Sequence, residues 1–168
     1  MRPSLVRRLA LMRHAKSSWK DPFLLDHARP LSGRGRRDAP RMGAWLVGHG
    51  WVPEVVALSD SERTQATWRG MAPLVGATLV PRVRRSLYHS GLEAIRAEAR
   101  SWSPGVRTVL AIGHNPGWED ALAWLTGQDP GMTTGNIALL EGEGPTWTDA
   151  LQGRWTLVAL GRPRELSD

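Results

Sequence analysis

The sequence predicts an α/β fold, a three-layer α/β/α sandwich with a mostly parallel central sheet. Short apolar runs alternate with helical segments, the pattern of strands joined by crossovers and covered on both faces. The chain has 168 residues, 41% of them hydrophobic, which is enough to bury a full core in one domain spanning residues 1–168. Three of the apolar runs end in Arg, His or Ser, and ligands of such sheets bind outside the carboxyl ends of the strands.

Leu9-Ala10-Leu11-Met12 is the first run, and it stops at Arg13-His14 as a buried strand would. Ala15–Pro30 lacks periodicity and carries Pro22 and Pro30, so a long functional loop is expected. Ala39, Met42, Gly43 and Leu46 recur at helical spacing, which predicts a helix over Arg34–Gly48, stopped by Gly48 and Gly50. Pro40 argues for a first turn later than Arg34. Glu54–Leu58 reads as a second strand. Ser59-Asp60-Ser61-Glu62 then has the spacing of a capping box, opening a helix to about Val75 with Asp60 and Glu62 used in its cap. Leu79–Val83 is expected at a sheet edge, because Pro81 cannot donate to a ladder. Leu92–Ala99 is a predicted helix, and Thr108–Gly113 the strongest strand. Asn115-Pro116 is expected as N-cap and first-turn pair of a helix to about Thr126, closed by Gly127. Ile137–Leu140 and Trp155–Leu160 are the last strands, separated by a turn-rich stretch around Gly142–Gly144.

Composition excludes several function classes. There is no Cys, so disulfides, thiolate metal sites and cysteine nucleophiles are absent. No apolar run approaches the ~20 residues that span a bilayer, and Leu9–Met12 is too short for the core of a signal peptide. A cytoplasmic address without a membrane partner is expected. The formal charge is +6, unevenly spread: residues 1–50 hold 11 Lys+Arg against 3 Asp+Glu, a net of +8. Such asymmetry points to an anionic partner or to an Arg-rich solvated surface. Within it, Arg34-Gly35-Arg36-Arg37 is either a solvated helix start or a docking patch for an acidic protein. The nine Trp are expected mainly in the core. His27 and His49 are expected in structural or exposed positions.

If the three strand ends share one crevice, they bring together Arg13, His14, Arg63, His114 and the N-termini of two helices. Two Arg disfavour a metal cation, and two His are too few for catalytic zinc. The set suits a multiply charged oxyanion: Arg forks pair with phosphate oxygens, and helix starts add N–H donors. An imidazole nitrogen there can attack phosphorus in line and form a phosphohistidine. Fixed cations then supply most of the catalysis, so no metal and no cofactor is expected.

These residues carry a resemblance. Met12-Arg13-His14-Ala15 resembles the Arg-His-Gly signature of the histidine phosphatase superfamily, the phosphoglycerate mutase-like family. Ser59-Asp60-Ser61-Glu62-Arg63-Thr64-Gln65-Ala66-Thr67 is similar to its second motif, and Ile112-Gly113-His114-Asn115-Pro116 to its third. The short chain, the Asp26-His27-Ala28-Arg29-Pro30-Leu31 loop and Thr133-Thr134-Gly135-Asn136-Ile137 resemble the SixA-type phosphohistidine phosphatase branch. The likeness covers about Leu9 to Leu160. It implies a phosphoglycerate mutase-like fold, His14 as the phosphorylated nucleophile, and Arg13, Arg63 and His114 as ligands of the phosphoryl oxygens. Lys16, Ser17, Arg29 and Asn115 are further candidates for substrate contact. Ala15 stands where the family has Gly, and Asp60 where Pro is common.

A third departure bears on substrate. Many members place a Glu acid after the second motif, whereas this chain has Leu87-Tyr88-His89. An alkoxide leaving group needs that acid more than an imidazole does, which favours a phosphohistidine protein over a small phosphate ester. His89 is the candidate acid, since an imidazole pKa near 6.5 suits the role. Two alternatives stand beside this reading: a small-molecule phosphomonoesterase of the family, and a non-catalytic phosphate- or nucleic-acid-binding module. The retained His14 argues against a binding module, and no nucleic acid partner is expected.

Overall fold

A computed structural model describes residues 5–166. One six-stranded sheet runs through it: β1 (Val6–Arg13), β2 (Val55–Ser59), β3 (Arg82–Arg84), β4 (Thr108–Gly113), β5 (Ile137–Glu143) and β6 (Thr156–Gly161). Their order is β3-β2-β4-β1-β5-β6. The pairs β1–β4, β2–β4 and β2–β3 are parallel, while β5 is antiparallel to both β1 and β6. The sheet is therefore mostly parallel, with β5 alone reversed.

Side-chain alternation along the strands builds the two outer layers. Ala10, Met12, Val56, Leu58, Leu110 and Ile112 face one side and pack under α1 (Gly33–Gly48) and α2 (Glu62–Val75) through Met42, Leu46, Trp68 and Met71. Leu9, Leu11, Val55, Ala57, Val109 and Ala111 face the other. There they meet α3 (Leu92–Ala99), α4 (Gly117–Thr126) and the short α5 (Trp147–Ala150) through Ile95, Trp118, Leu122 and Trp147. Six of the nine Trp are buried. No helix among the described residues is long and apolar enough to cross a membrane.

The structure corrects several boundaries. α1 begins at Gly33 on the Ser32 cap, whose side chain accepts from Gly35 N, and Pro40 lies inside the helix. The hydrogen bond Pro40 cannot give is outweighed by the buried stripe Ala39–Met42–Leu46 beneath it. Ser61, not Ser59, caps α2 by accepting from Thr64 N. Asp60 and Glu62 do not cap it: Asp60 pairs with His27 at 2.8 Å and Glu62 with Arg69 at 2.5 Å. Asn115 is not the cap of α4 either. The Asn115–Pro116 bond is cis, Pro116 takes the cap position, and no side chain caps the helix. Gly127 closes α4 in the left-handed region, φ 72°. The edge strand β3 begins after Pro81. β1 reaches back through Arg7, which is buried with its guanidinium on the carbonyls of Pro104, Val106, Gly144 and Pro145.

Candidate active site

Because β4 lies between β2 and β1, the carboxyl ends of three parallel strands are neighbours. Arg13 pairs in register with Gly113, and Leu58 with Ile112. Arg13, His14, Arg63 and His114 line one cavity of about 200 Å³, with Lys16, Ser17, His89 and Asn115 around them. The end of β1 is fixed from three sides. His14 N donates to Gly113 O, Gly135 N donates to His14 O, and Ala15 N donates to Thr67 Oγ1 of α2.

The His14 ring has a defined polarity. Nδ1 donates to the Ala15 carbonyl at 2.7 Å, so Nε2 carries the lone pair and accepts from Arg63 Nε at 3.3 Å. Burial, helped by the charges of Arg63 and Arg13, pushes the pKa down to about 4, against the opposing hydrogen bond to Ala15. The ring is neutral at pH 7.

His114 stands 5.3 Å from His14, centroid to centroid. Arg63 Nη2 can only donate, so His114 Nδ1 accepts from it at 3.3 Å and Nε2 donates to Ser59 Oγ at 2.7 Å. Ser59 is fully buried and bonded in turn to Thr64 Oγ1 at 2.8 Å. Burial first, then the neighbouring His14, Arg63 and His89, lowers the His114 pKa to about 2. Arg13 gives Nη1 to Met132 O at 3.0 Å, while its buried Nε has no partner. Burial lowers its pKa as well.

Asp26 was not among the residues expected here. It sits on the opposite wall, where one carboxylate oxygen accepts from Arg63 Nη2 at 2.9 Å, His89 Nε2 at 2.9 Å and the Tyr88 hydroxyl. Partial burial raises its pKa, but these three donors outweigh that and hold the carboxyl well below its ordinary range. Tyr88 is shifted up by burial and by the same carboxylate. The only sequence signal for Asp26 was its place in the loop segment that resembles the SixA branch. His89 lies in the left-handed region, φ 50°, a costly backbone for a non-glycine residue that turns up at functional sites.

Arg29 corrects an expectation. It is buried, it donates to the carbonyls of Asp21 and Leu24 at 3.2 Å, and it does not line the cavity. Its two terminal nitrogens are held by the loop itself, and its buried Nε has no partner. Asn115 does reach the cavity, with Nδ2 on Glu119 and Met132 O and a buried Oδ1 without a partner. His27 and His49 lie outside, bonded to Asp60 and to Trp45 O. Among the described residues no group of three or more His, Cys, Asp or Glu is placed to hold a metal ion.

Comparison with known proteins bears on the family and the fold. No family model matches the chain. An uncharacterized chloroplastic protein of Arabidopsis thaliana is 36% identical over 173 residues, covering 95% of this chain and 79% of that protein. A provisionally assigned phosphohistidine phosphatase SixA from Nakamurella multipartitia is 31% identical, with TM-score 0.78 over 96% of this chain and 99% of that one. The fold of a protein histidine phosphatase SixA solved with tungstate superposes at TM-score 0.81, with 24% identity, over 95% of this chain and 99% of that one. The chain belongs to the histidine phosphatase superfamily and has its phosphoglycerate mutase-like fold. Within it, this is a protein of the SixA-type branch.

Proposed function

We propose that the protein is a metal-independent phosphatase acting through a phosphohistidine on His14, with a protein phosphohistidine as substrate. One observation carries the reading: His14 Nδ1 is bound to Ala15 O, which leaves a neutral ring with its Nε2 lone pair in a pocket of cations. Nε2 attacks phosphorus in line as the bond to the leaving imidazole nitrogen breaks. Arg13, Arg63 and His114 face the phosphoryl oxygens, and the Arg13 Nε without a partner is one available donor. Water then attacks phosphorus, the bond to Nε2 breaks, inorganic phosphate leaves, and His14 returns to its neutral form.

As observed, His114 has no N–H free for an oxyanion, because Nε2 faces Ser59 and Nδ1 accepts from Arg63. A phosphoryl dianion that draws the Arg63 fork to itself favours the other neutral tautomer, in which the ring proton moves from Nε2 to Nδ1: Ser59 Oγ then donates to Nε2, and Nδ1–H donates to the anion. His89 is the acid for leaving groups that need one, oriented through Nε2 by Asp26.

The test is trapping. The protein incubated with a phosphoryl donor in EDTA is expected to give an acid-labile, base-stable phosphoenzyme that His14→Ala does not form. Its absence with every donor, phosphohistidine protein included, would leave a phosphate-binding module instead. His89→Ala is expected to lose on the order of 10²-fold in kcat on an alkyl phosphate and far less on a phosphohistidine peptide. Equal large losses on both would remove the argument that the leaving group selects the substrate.

A further inference from the structure

The cavity of about 200 Å³ has room for a phosphoryl group and the ring that carries it. Whatever else a protein substrate presents must rest on the rim. One side of that rim is the loop after His14. Its base is pinned by the Ser17–Leu31 bridge and by Ser18 N donating to Pro30 O at 2.8 Å. Along seven residues it holds three large apolar side chains in solvent: Trp19 is 63% exposed, Phe23 93% and Leu25 79%. Single exposed apolar residues are ordinary. Three within seven residues, the first of them lining the cationic pocket and the last adjoining Asp26 in its wall, concentrate exposed apolar surface of the kind that marks an interaction site.

The loop is also braced in this conformation. Beneath it lies Arg29, only 5% exposed, which donates to Asp21 O and Leu24 O, both at 3.2 Å. The Arg29 guanidinium stacks over the Trp19 ring, 3.7 Å from its centroid. Asp21 Oδ1 accepts from Phe23 N at 3.0 Å. An arginine has been buried to present apolar groups outward. Lys16 precedes this segment and Lys20 lies within it; both are exposed and make no ion pair among the described residues. The same segment runs on into Asp26, which contacts Arg63 and His89.

We infer that the 19–25 segment is the docking surface for the phosphoprotein, and that it receives an acidic surface with an apolar patch beside its phosphohistidine. This rests on the reading of the pocket as a phosphohistidine site. The apolar lip supplies contact area that the small pocket lacks, and the lysines supply the complement to acidic side chains.

The experiment compares two substrates of equal chemistry. One is free phosphohistidine; the other is a phosphohistidine peptide with leucines beside the modified residue and glutamates further out. In Phe23→Ser/Leu25→Ser, kcat/KM on the peptide is expected to fall at least tenfold, while kcat/KM on free phosphohistidine stays within twofold and reports an intact fold. The fall on the peptide is expected mainly in KM. Unchanged peptide kinetics in the variant, with the wild type active on both substrates, overturns the docking surface and leaves the proposed function standing. A wild type active only on free phosphohistidine overturns the docking surface together with the protein substrate. A wild type active on neither overturns the proposed function itself, and the docking surface with it.

Discussion

His14 and His114 are neutral because the fold has taken them out of water among cations, and this has a consequence in acid. The pKa of His14 is lowered from its ordinary 6.5 to about 4. Between those values the unfolded chain binds a proton that the folded chain refuses, so stability falls as pH drops through this window. His14 accounts for about 3 kcal/mol of that loss by pH 4. His114, held near 2, adds to the loss over the same window and carries it on below pH 4. Asp26 acts in the same direction, since its three donors stabilise the carboxylate and protonation removes them. Urea unfolding at pH 7 and at pH 4 is expected to show this slope in the wild type and a clearly shallower one in His14→Asn, which has no proton to gain. The same slope in both proteins would place the acid sensitivity elsewhere.

At the scale of elements, the site depends on how closely two backbones approach. A Cβ on Gly117, at the start of α4, would sit 1.8 Å from Ser90 O, and Gly91 packs against the same residue. That contact holds the turn that aims His89 and Tyr88 at Asp26. Gly117→Ala is expected to cost about 1–3 kcal/mol and to reduce turnover on esters that need His89. Gly48, the last residue of α1, has nothing within 4 Å of its Cβ position, so Gly48→Ala is expected to stabilise by about 0.4–1 kcal/mol. Urea midpoints of the two variants should move in opposite directions. The elements themselves were largely legible in the sequence: Leu92–Ala99 and Thr108–Gly113 have the predicted bounds, because both are bounded by sharp changes of pattern. Caps were less legible. Ser59 has the spacing of a cap but is claimed by His114 across the sheet, a partner 55 residues away. Arg7 hid the start of β1 because a charged residue reads as exposed until four carbonyls are brought around it. Asp26 lay unassigned for the same reason: its meaning depends on Arg63, His89 and Tyr88, which only the folded loop brings to it.

For the whole molecule, the question is what the positive charge does. Most of the cations behind the net +8 of residues 1–50 have partners within the fold. Arg7 and Arg29 are buried on carbonyls, Arg8 pairs with Glu141, Arg34 and Arg41 pair with Asp38, and Arg36 donates to Leu31 O. Arg13 is in the pocket, and Arg2 lies outside the described residues. Arg36 is exposed with only the Leu31 carbonyl as partner, and Lys16, Lys20 and Arg37 are exposed with neither an ion pair nor a side-chain hydrogen bond among the described residues. Exposed charges of one sign, with Lys16 at the pocket itself, can steer an acidic substrate, and salt screens that steering once the Debye length shrinks to about 10 Å at 0.1 M. On a glutamate-rich phosphohistidine peptide, kcat/KM is expected to fall several-fold between low salt and about 0.3 M, with kcat little changed, because steering acts on encounter. Free phosphohistidine meets the same pocket with less charge, so its salt dependence should be smaller. Lys20→Ala/Arg37→Ala should flatten the peptide's slope while leaving turnover of free phosphohistidine alone. An unchanged slope in that variant would return the salt effect to the pocket cations Arg13 and Arg63, and the exposed charge would then be a solvated surface with no part in encounter.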